Sequence, residues 1–137
     1  MNETVPTLFA VALGGALGAM LRFRLRFVTK NAKISMGTYP GNIVASFLLG
    51  LVSALFADAF FAVQGWQSWF YPFLTVGIAG SLSTFSSLML EMHDTTKKHG
   101  WVKSIGYASF TFITGLIALS IGLFLGTSVP VYSGLVK

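Results

Sequence analysis

The chain has 137 residues, of which 54% are hydrophobic and 9% charged, with a formal net charge of +5. A soluble domain carries about 25% charged residues, so so few charges cannot cover a globule, and the composition excludes one in favour of an integral membrane protein. The basic residues lie between apolar segments, which points to orientation in a bilayer rather than to nucleic acid, and the absence of cysteine excludes disulfides and thiolate metal sites.

Four spans fit, at about 5–23, 38–61, 69–92 and 102–125, each near the roughly 20 apolar residues that cross a hydrocarbon core. Glu3 and the lack of a basic leader argue against a cleaved signal peptide, so the first span is expected to stay. Short connections make neighbouring spans antiparallel. Residues 1–126 are therefore expected to form one four-helix membrane domain, followed by a loose tail over 127–137 that contains Pro130.

In the first span Gly14, Gly15, Gly18 and Ala19 form a small-residue face. Such a face lets helices approach closely, either within the chain or between subunits. The second span opens with Gly37-Thr38-Tyr39-Pro40-Gly41-Asn42. Pro40 falls in the first turn, where its missing N–H is tolerated. Asn42 lies further in, and its primary amide needs a partner, either another helix or a permeating ion.

The third span is interrupted by polar residues. Its middle, 77–87, holds Gly77, Gly80, Ser81, Ser83, Thr84, Ser86 and Ser87. Backbone that leaves the helix at membrane depth survives only where protein buries it or where it lines a water-filled path. A Gly- and hydroxyl-rich interruption of a hydrophobic segment thus points to an ion or substrate site near the midplane. In the fourth span Tyr107, Thr111 and Thr114 share one face, with Ser109 off it. Their hydroxyls can bond back to their own helix or form a polar track.

Basic residues are unevenly placed. Arg22, Arg24, Arg26, Lys30 and Lys33 flank the first connection, and Lys97, Lys98 and Lys103 the third; only Lys137 falls on the other side. The positive-inside rule then puts both connections in the cytoplasm and both termini outside. His93 and His99 are expected in a short loop beside Asp94, solvated and not metal ligands.

With the spans laid out, the sequence resembles the Fluc (CrcB) family of fluoride channels over nearly its whole length. Gly14-Gly15-Ala16-Leu17-Gly18-Ala19-Met20-Leu21-Arg22 is similar to the family's first-helix pattern of glycines followed by an arginine. Gly37-Thr38 with Asn42, then Ser46-Phe47-Leu48-Leu49-Gly50, is similar to its second-helix pattern, and Gly77-Ile78-Ala79-Gly80-Ser81-Leu82-Ser83-Thr84-Phe85-Ser86-Ser87 to its third-helix break.

The resemblance implies an all-α integral membrane fold with four transmembrane helices, the third broken near its middle. It further implies antiparallel (inverted) dimers with two fluoride pathways and a central structural sodium ion. Gly80 and Ser83 match positions whose backbone carbonyls hold the sodium. Asn42 matches the pore-lining amide, Phe85 the first of two phenylalanines whose ring edges face fluoride, and Thr84 a hydroxyl beside it. Arg22 matches an arginine near the pore entrance, Thr38 and Tyr107 match polar lining positions, and Glu91 a carboxylate past the break with no role assigned. Ser83 and Thr111 join the expected fluoride pathway. The family's second phenylalanine is replaced by Leu88, and Ser81 and Ala45 stand where glycines are usual.

These residue types suit fluoride, a strongly hydrated acceptor whose water must be replaced by donors weak enough to release it. Asn42 offers two N–H donors and each hydroxyl one, while the edge of the Phe85 ring carries partial positive charge. Arg22 can raise the local anion concentration from the mouth. A homodimer of inverted copies needs both orientations of one chain, which the basic imbalance opposes. The expected partner is a second copy or a related, oppositely biased subunit in inverted orientation. Two other assignments are a partly conducting or non-conducting subunit of a heterodimeric channel, and a small multidrug transporter. The transporter needs a carboxylate within a membrane helix, whereas Asp58 and Glu91 are expected near span ends. No Ser-His-Asp order, HExxH pattern or paired intramembrane carboxylates suggests an enzyme. The expected setting is the cell membrane, with passive export of fluoride and hence fluoride resistance.

Overall fold

The computed structural model describes residues 4–29, 31, 36–57 and 67–128. The second connection with Asp58 and Gln64, the basic residues Lys30 and Lys33, and the tail from residue 129 lie outside the described residues.

Apolar runs with few charges leave the backbone no partner but itself, and every described span is helical. Helix α1 (Thr4–Leu25) is 22 residues long, ends with Arg22 and Arg24 in its last turn, and tightens into a 3-10 turn over Arg26–Thr29. Cationic side chains there oppose the partial negative charge of the helix C-terminus. Helix α2 (Tyr39–Leu55) has 17 residues and carries Pro40 in its first turn. The third span comprises α3 (Gln67–Pro72), a π-helical segment (Phe73–Ala79) and α4 (Gly80–Leu82), then a break, then α5 (Phe85–His99). Helix α6 (Trp101–Ser128) has 28 residues. The stretches Thr4–Thr29, Ser68–His99 and Trp101–Ser128 are long and apolar enough to cross a bilayer. Helix α2 sits at the lower end of the roughly 17–25 residues that suffice.

Three boundaries differ from the sequence expectation, the first being the end of α2 at Leu55 instead of near 61. Helix α5 runs on to His99 instead of stopping near 92, and turns into α6 through Gly100 alone, at φ 88°. Glycine carries no Cβ to oppose that left-handed conformation. His93, Asp94 and His99 therefore stand on a helix rather than in a loop, although both histidines are exposed as expected. Lys97, Lys98 and His99 in the last turn of α5 give a helix C-terminus that polar solvent and basic charge both favour. At the other end α6 continues to Ser128, two residues into the expected tail.

Packing follows the small residues. Helix α1 lies on the first half of the third span, and α2 pairs along its length with α6. A Cβ added to Gly77 would stand 3.0 Å from the Gly14 Cα and from the Val11 carbonyl oxygen, and Gly18 abuts Ile78 and Ser81 in the same way. Gly14 and Gly18 of the small face are thus engaged inside the chain, while Gly15 stands open. Gly122 and Gly126 of α6 bring backbone against Leu51 of α2, with hypothetical Cβ contacts of 2.8 Å. Between these two pairs sit Ala45, Ala79 and Leu82, the last fully buried. Val52 and Phe56 form a second cluster with Phe70, Tyr71 and Leu74.

The third span loses regularity in two steps. Pro72 supplies no N–H and its ring opposes the preceding carbonyl, and the wide π turns begin at the next residue. Such segments are rare and concentrate at functional sites. Four residues after the π segment, Ser83 (φ −81°, ψ 151°) and Thr84 (φ −155°, ψ 123°) are extended. Gly80, expected within the break, is itself helical at φ −64°, ψ −37°, so the interruption is shorter and lies later than the composition implies.

Substituting leucine for Gly77 should drive α1 from the third span, an overpacking cost of about 1–3 kcal/mol. Gly15→Leu, where nothing lies within 4 Å of the added Cβ, should be tolerated. Thermal unfolding of the two variants in detergent measures the difference.

Candidate functional site

The break is held open by one side chain from another helix. In an unbroken helix the Thr84 N–H would bond to the Gly80 carbonyl; here it donates to Asn42 Oδ1 on α2, at 2.9 Å. Likewise the Ser87 N–H, which would serve the Ser83 carbonyl, donates to Thr84 Oγ1 at 3.4 Å, so Thr84 caps α5. This is the usual work of a threonine at a helix N-terminus. The carbonyls of Gly80 and Ser83 consequently lose the donors that a continuous helix gives them. A hollow of about 130 Å³ lies against this point, lined by Ala45, Ser46, Thr75, Ala79, Gly80 and Ser83 among others.

On the other side of the break is a larger groove of about 400 Å³. It gathers Asn42 from α2, Ser83 and Thr84 from the break, Phe85 and Leu88 from α5, and Thr111 from α6. Asn42 uses its oxygen on Thr84, and its amide nitrogen has no hydrogen-bond partner among the described residues. The Thr111 hydroxyl is buried and likewise unpartnered among them. Phe85 is 73% exposed, with its ring free of protein packing on most of its surface. No charged side chain among the described residues lines this groove. It therefore offers neutral donors and aromatic edge in an otherwise apolar wall.

A second polar cluster lies about one and a half turns further along α5. Glu91, only 8% exposed, accepts three hydrogen bonds. The Thr38 N–H donates to Oε1 at 2.9 Å, the Thr38 hydroxyl to Oε2 at 2.6 Å, and the Tyr107 hydroxyl to Oε2 at 2.7 Å. Thr38 is the residue preceding α2, yet its side chain caps no helical N–H because Glu91 takes its hydroxyl. One carboxylate so ties the start of α2 to α5 and α6. A pocket of about 210 Å³ adjoins the cluster, lined by Arg22, Arg26, Thr38, Ser87, Leu90, Glu91 and Asp94. Two guanidinium groups and two carboxylates balance there, so the field expected from Arg22 is offset by its neighbours.

The structure thus divides the residues expected on one path into two groups. Asn42, Ser83, Thr84, Phe85, Leu88 and Thr111 share the groove; Arg22 and Thr38 share the second pocket, with Tyr107 buried behind Glu91. Thr114 bonds to the Phe110 carbonyl of its own helix at 2.7 Å, the self-satisfied alternative for that hydroxyl. Glu91 is the residue whose importance the sequence understated. Its position near an expected span end concealed it, because α5 runs eight residues beyond it. The clue available was its spacing from Leu88, which puts the carboxylate one turn along the same strip of helix. Ser46, shared by the groove and the smaller hollow, gave no separate signal in the sequence.

Comparison with known proteins identifies the family. The family described as CrcB-like protein, Camphor Resistance (CrcB), matches residues 9–123. A Staphylococcus saprophyticus protein named Fluoride-specific ion channel FluC 2 is 31% identical over 123 residues, spanning 87% of this chain and 95% of its own length. Two proteins named Fluoride-specific ion channel FluC 1 cover 85% of this chain and 93% of their own length. That of Staphylococcus epidermidis is 29% identical and that of Staphylococcus aureus 30%. These relatives are named as channels and not as enzymes. With a match that runs through all four spans and both sides of the break, the chain belongs to the CrcB-like family of membrane proteins.

Proposed function

We propose that this chain is a subunit of a fluoride-selective channel that lets fluoride leave the cytoplasm passively. The observation that carries the proposal is the groove: the Asn42 amide of α2 and the hydroxyls of the break meet in an apolar wall with no charged side chain among the described residues. Fluoride sheds water only where donors replace it, and a fixed cation would hold it too tightly to conduct. The Asn42 amide nitrogen, the Ser83 hydroxyl and the Phe85 ring edge supply graded partial positive charge instead. The relatives' names give the ion its identity.

The released carbonyls of Gly80 and Ser83 suit a hard cation, which prefers oxygen ligands. They would hold a structural sodium ion, whose charge would favour an anion nearby. On the monomer Gly80 is exposed beside these unbonded carbonyls, an arrangement that lipid does not satisfy. A second subunit in inverted orientation would cover them. The basic imbalance favours a related, oppositely biased partner over a second copy. The Arg22 and Arg26 pocket is the cytoplasmic mouth, and the Glu91 cluster fixes its geometry by tying Thr38 and Tyr107 together.

Passive, chloride-insensitive fluoride efflux from liposomes is the expected activity, and silence of both this chain and its co-expressed partner would refute it. Asn42→Asp keeps an oxygen for the Thr84 N–H but loses the donors, so flux should fall about tenfold to a hundredfold. That is the scale of a hydrogen bond to an ion, roughly 1.5–3 kcal/mol. Glu91→Ala leaves the Thr38 N–H without its acceptor and should lower stability by about 1–3 kcal/mol in thermal unfolding. Cysteines placed at Lys33 and Gln64 should label from opposite sides of the membrane, with Lys33 cytoplasmic; equal labelling from both sides would show dual orientation.

A further inference from the structure

We infer that Phe112 of α6 supplies a second aromatic edge to the anion groove that Phe85 also borders, and takes part in selecting the permeant ion. The inference rests on the fluoride-channel proposal and adds to it a residue that the chain's motifs do not mark.

The groove is walled on the α6 side by two adjoining rows, Ala108, Phe112 and Leu116 in one, Thr111, Gly115 and Leu119 in the other. Residues four apart on a helix stack along one row, so the Phe112 ring rises between the small side chain of Ala108 and Leu116. Its neighbour in sequence is Thr111, with the unpartnered buried hydroxyl. Gly115 adds no side chain, and a Cβ there would meet only the Ser46 hydroxyl, at 3.4 Å. Small residues at 108 and 115 thus open the hollow that Phe112 borders. Phe112 is 68% exposed and Phe85 73%, and no ring contact engages either among the described residues. Both rings therefore keep free edges along the same groove.

Leu88 borders that groove too, but an aliphatic chain carries no quadrupole and offers an anion nothing beyond apolar bulk. The remaining wall of α5 is Phe85 alone. An anion stripped of water along this stretch meets the Asn42 amide, with Phe85 bordering the same groove. Phe112 borders that groove from α6 with the one uncharged side chain type that still presents positive potential edge-on.

The test is fluoride efflux and fluoride-over-chloride selectivity in liposomes holding the assembled channel, checked for intact assembly by size-exclusion chromatography. Phe112→Leu keeps apolar volume and removes the quadrupole; its flux should fall by about threefold to tenfold, the scale of one aromatic electrostatic contact. Phe112→Tyr keeps the ring edge and should conduct like the unsubstituted chain. Should Phe112→Leu fail to assemble, Phe112→Met serves in its place, since an unbranched chain fills irregular space. Undiminished flux and selectivity in the ring-free variant overturn the inference, as does an equal loss in Phe112→Tyr, which would mark a packing position. Silence of the unsubstituted channel would instead refute the fluoride proposal itself.

Discussion

A single hydrogen bond, from the Thr84 N–H to Asn42 Oδ1, decides what the third span can do. At membrane depth a backbone N–H has no water to turn to, and leaving it bare costs several kcal/mol by the usual transfer scale, about 2–7. The helix would therefore close over this position unless another group took the proton. Asn42 does so from α2, and in doing so it diverts the donor of the Gly80 carbonyl. Thr84 repeats the exchange one turn later by capping α5 with its own hydroxyl. Both exchanges conserve the number of satisfied donors while exposing acceptors. For these two donors the break redistributes hydrogen bonds, while the Phe85 and Ser86 N–H groups, the first of α5, have no intrahelical acceptor.

Asn42 shows why the structural and functional roles of a membrane amide need not compete. Its oxygen is an acceptor for the break, and its nitrogen keeps two donors for the groove. A hydroxyl in its place could not serve both ends so directly. The same economy governs Glu91, which satisfies three donors from two other segments. A carboxylate can accept that many because each oxygen has two lone pairs. Its charge is balanced nearby by Arg22 and Arg26, with Asp94 beside them. Charged groups therefore gather at one end of the molecule, and the groove between α2, α5 and α6 is left to neutral dipoles.

Close packing of helix pairs makes this separation possible. Gly14 against Gly77, and Gly122 against α2, bring backbones together at distances that any side chain would prevent. Without water to drive helices together, such contact surface is the main source of association in lipid. Because α1 clasps the first half of the third span while α2 lies along α6, the break falls where the two pairs meet. Leu82, fully buried there with Ala45 and Ala79, anchors the last helical turn before Ser83. The chain can change direction at this point because both sides of it are fixed.

The amino-acid sequence by itself determined the membrane setting, the helical class, the positions of the spans and the existence of an interruption in the third. Those follow from local composition: few charges, apolar runs of bilayer length, and glycines and hydroxyls clustered at 77–87. It also singled out Asn42, Ser83, Thr84, Phe85, Leu88 and Thr111, which the fold gathers into one groove. Tertiary structure alone decided where the helix opens, since that depends on which N–H Asn42 can reach across from α2. It also separated Arg22, Thr38 and Tyr107 from the groove, and tied Thr38 and Tyr107 to Glu91, because the acceptor of Thr38 lies 53 residues away along the chain. Periodicity reads one helix at a time, whereas a polar group in lipid takes its role from whichever neighbouring helix completes it.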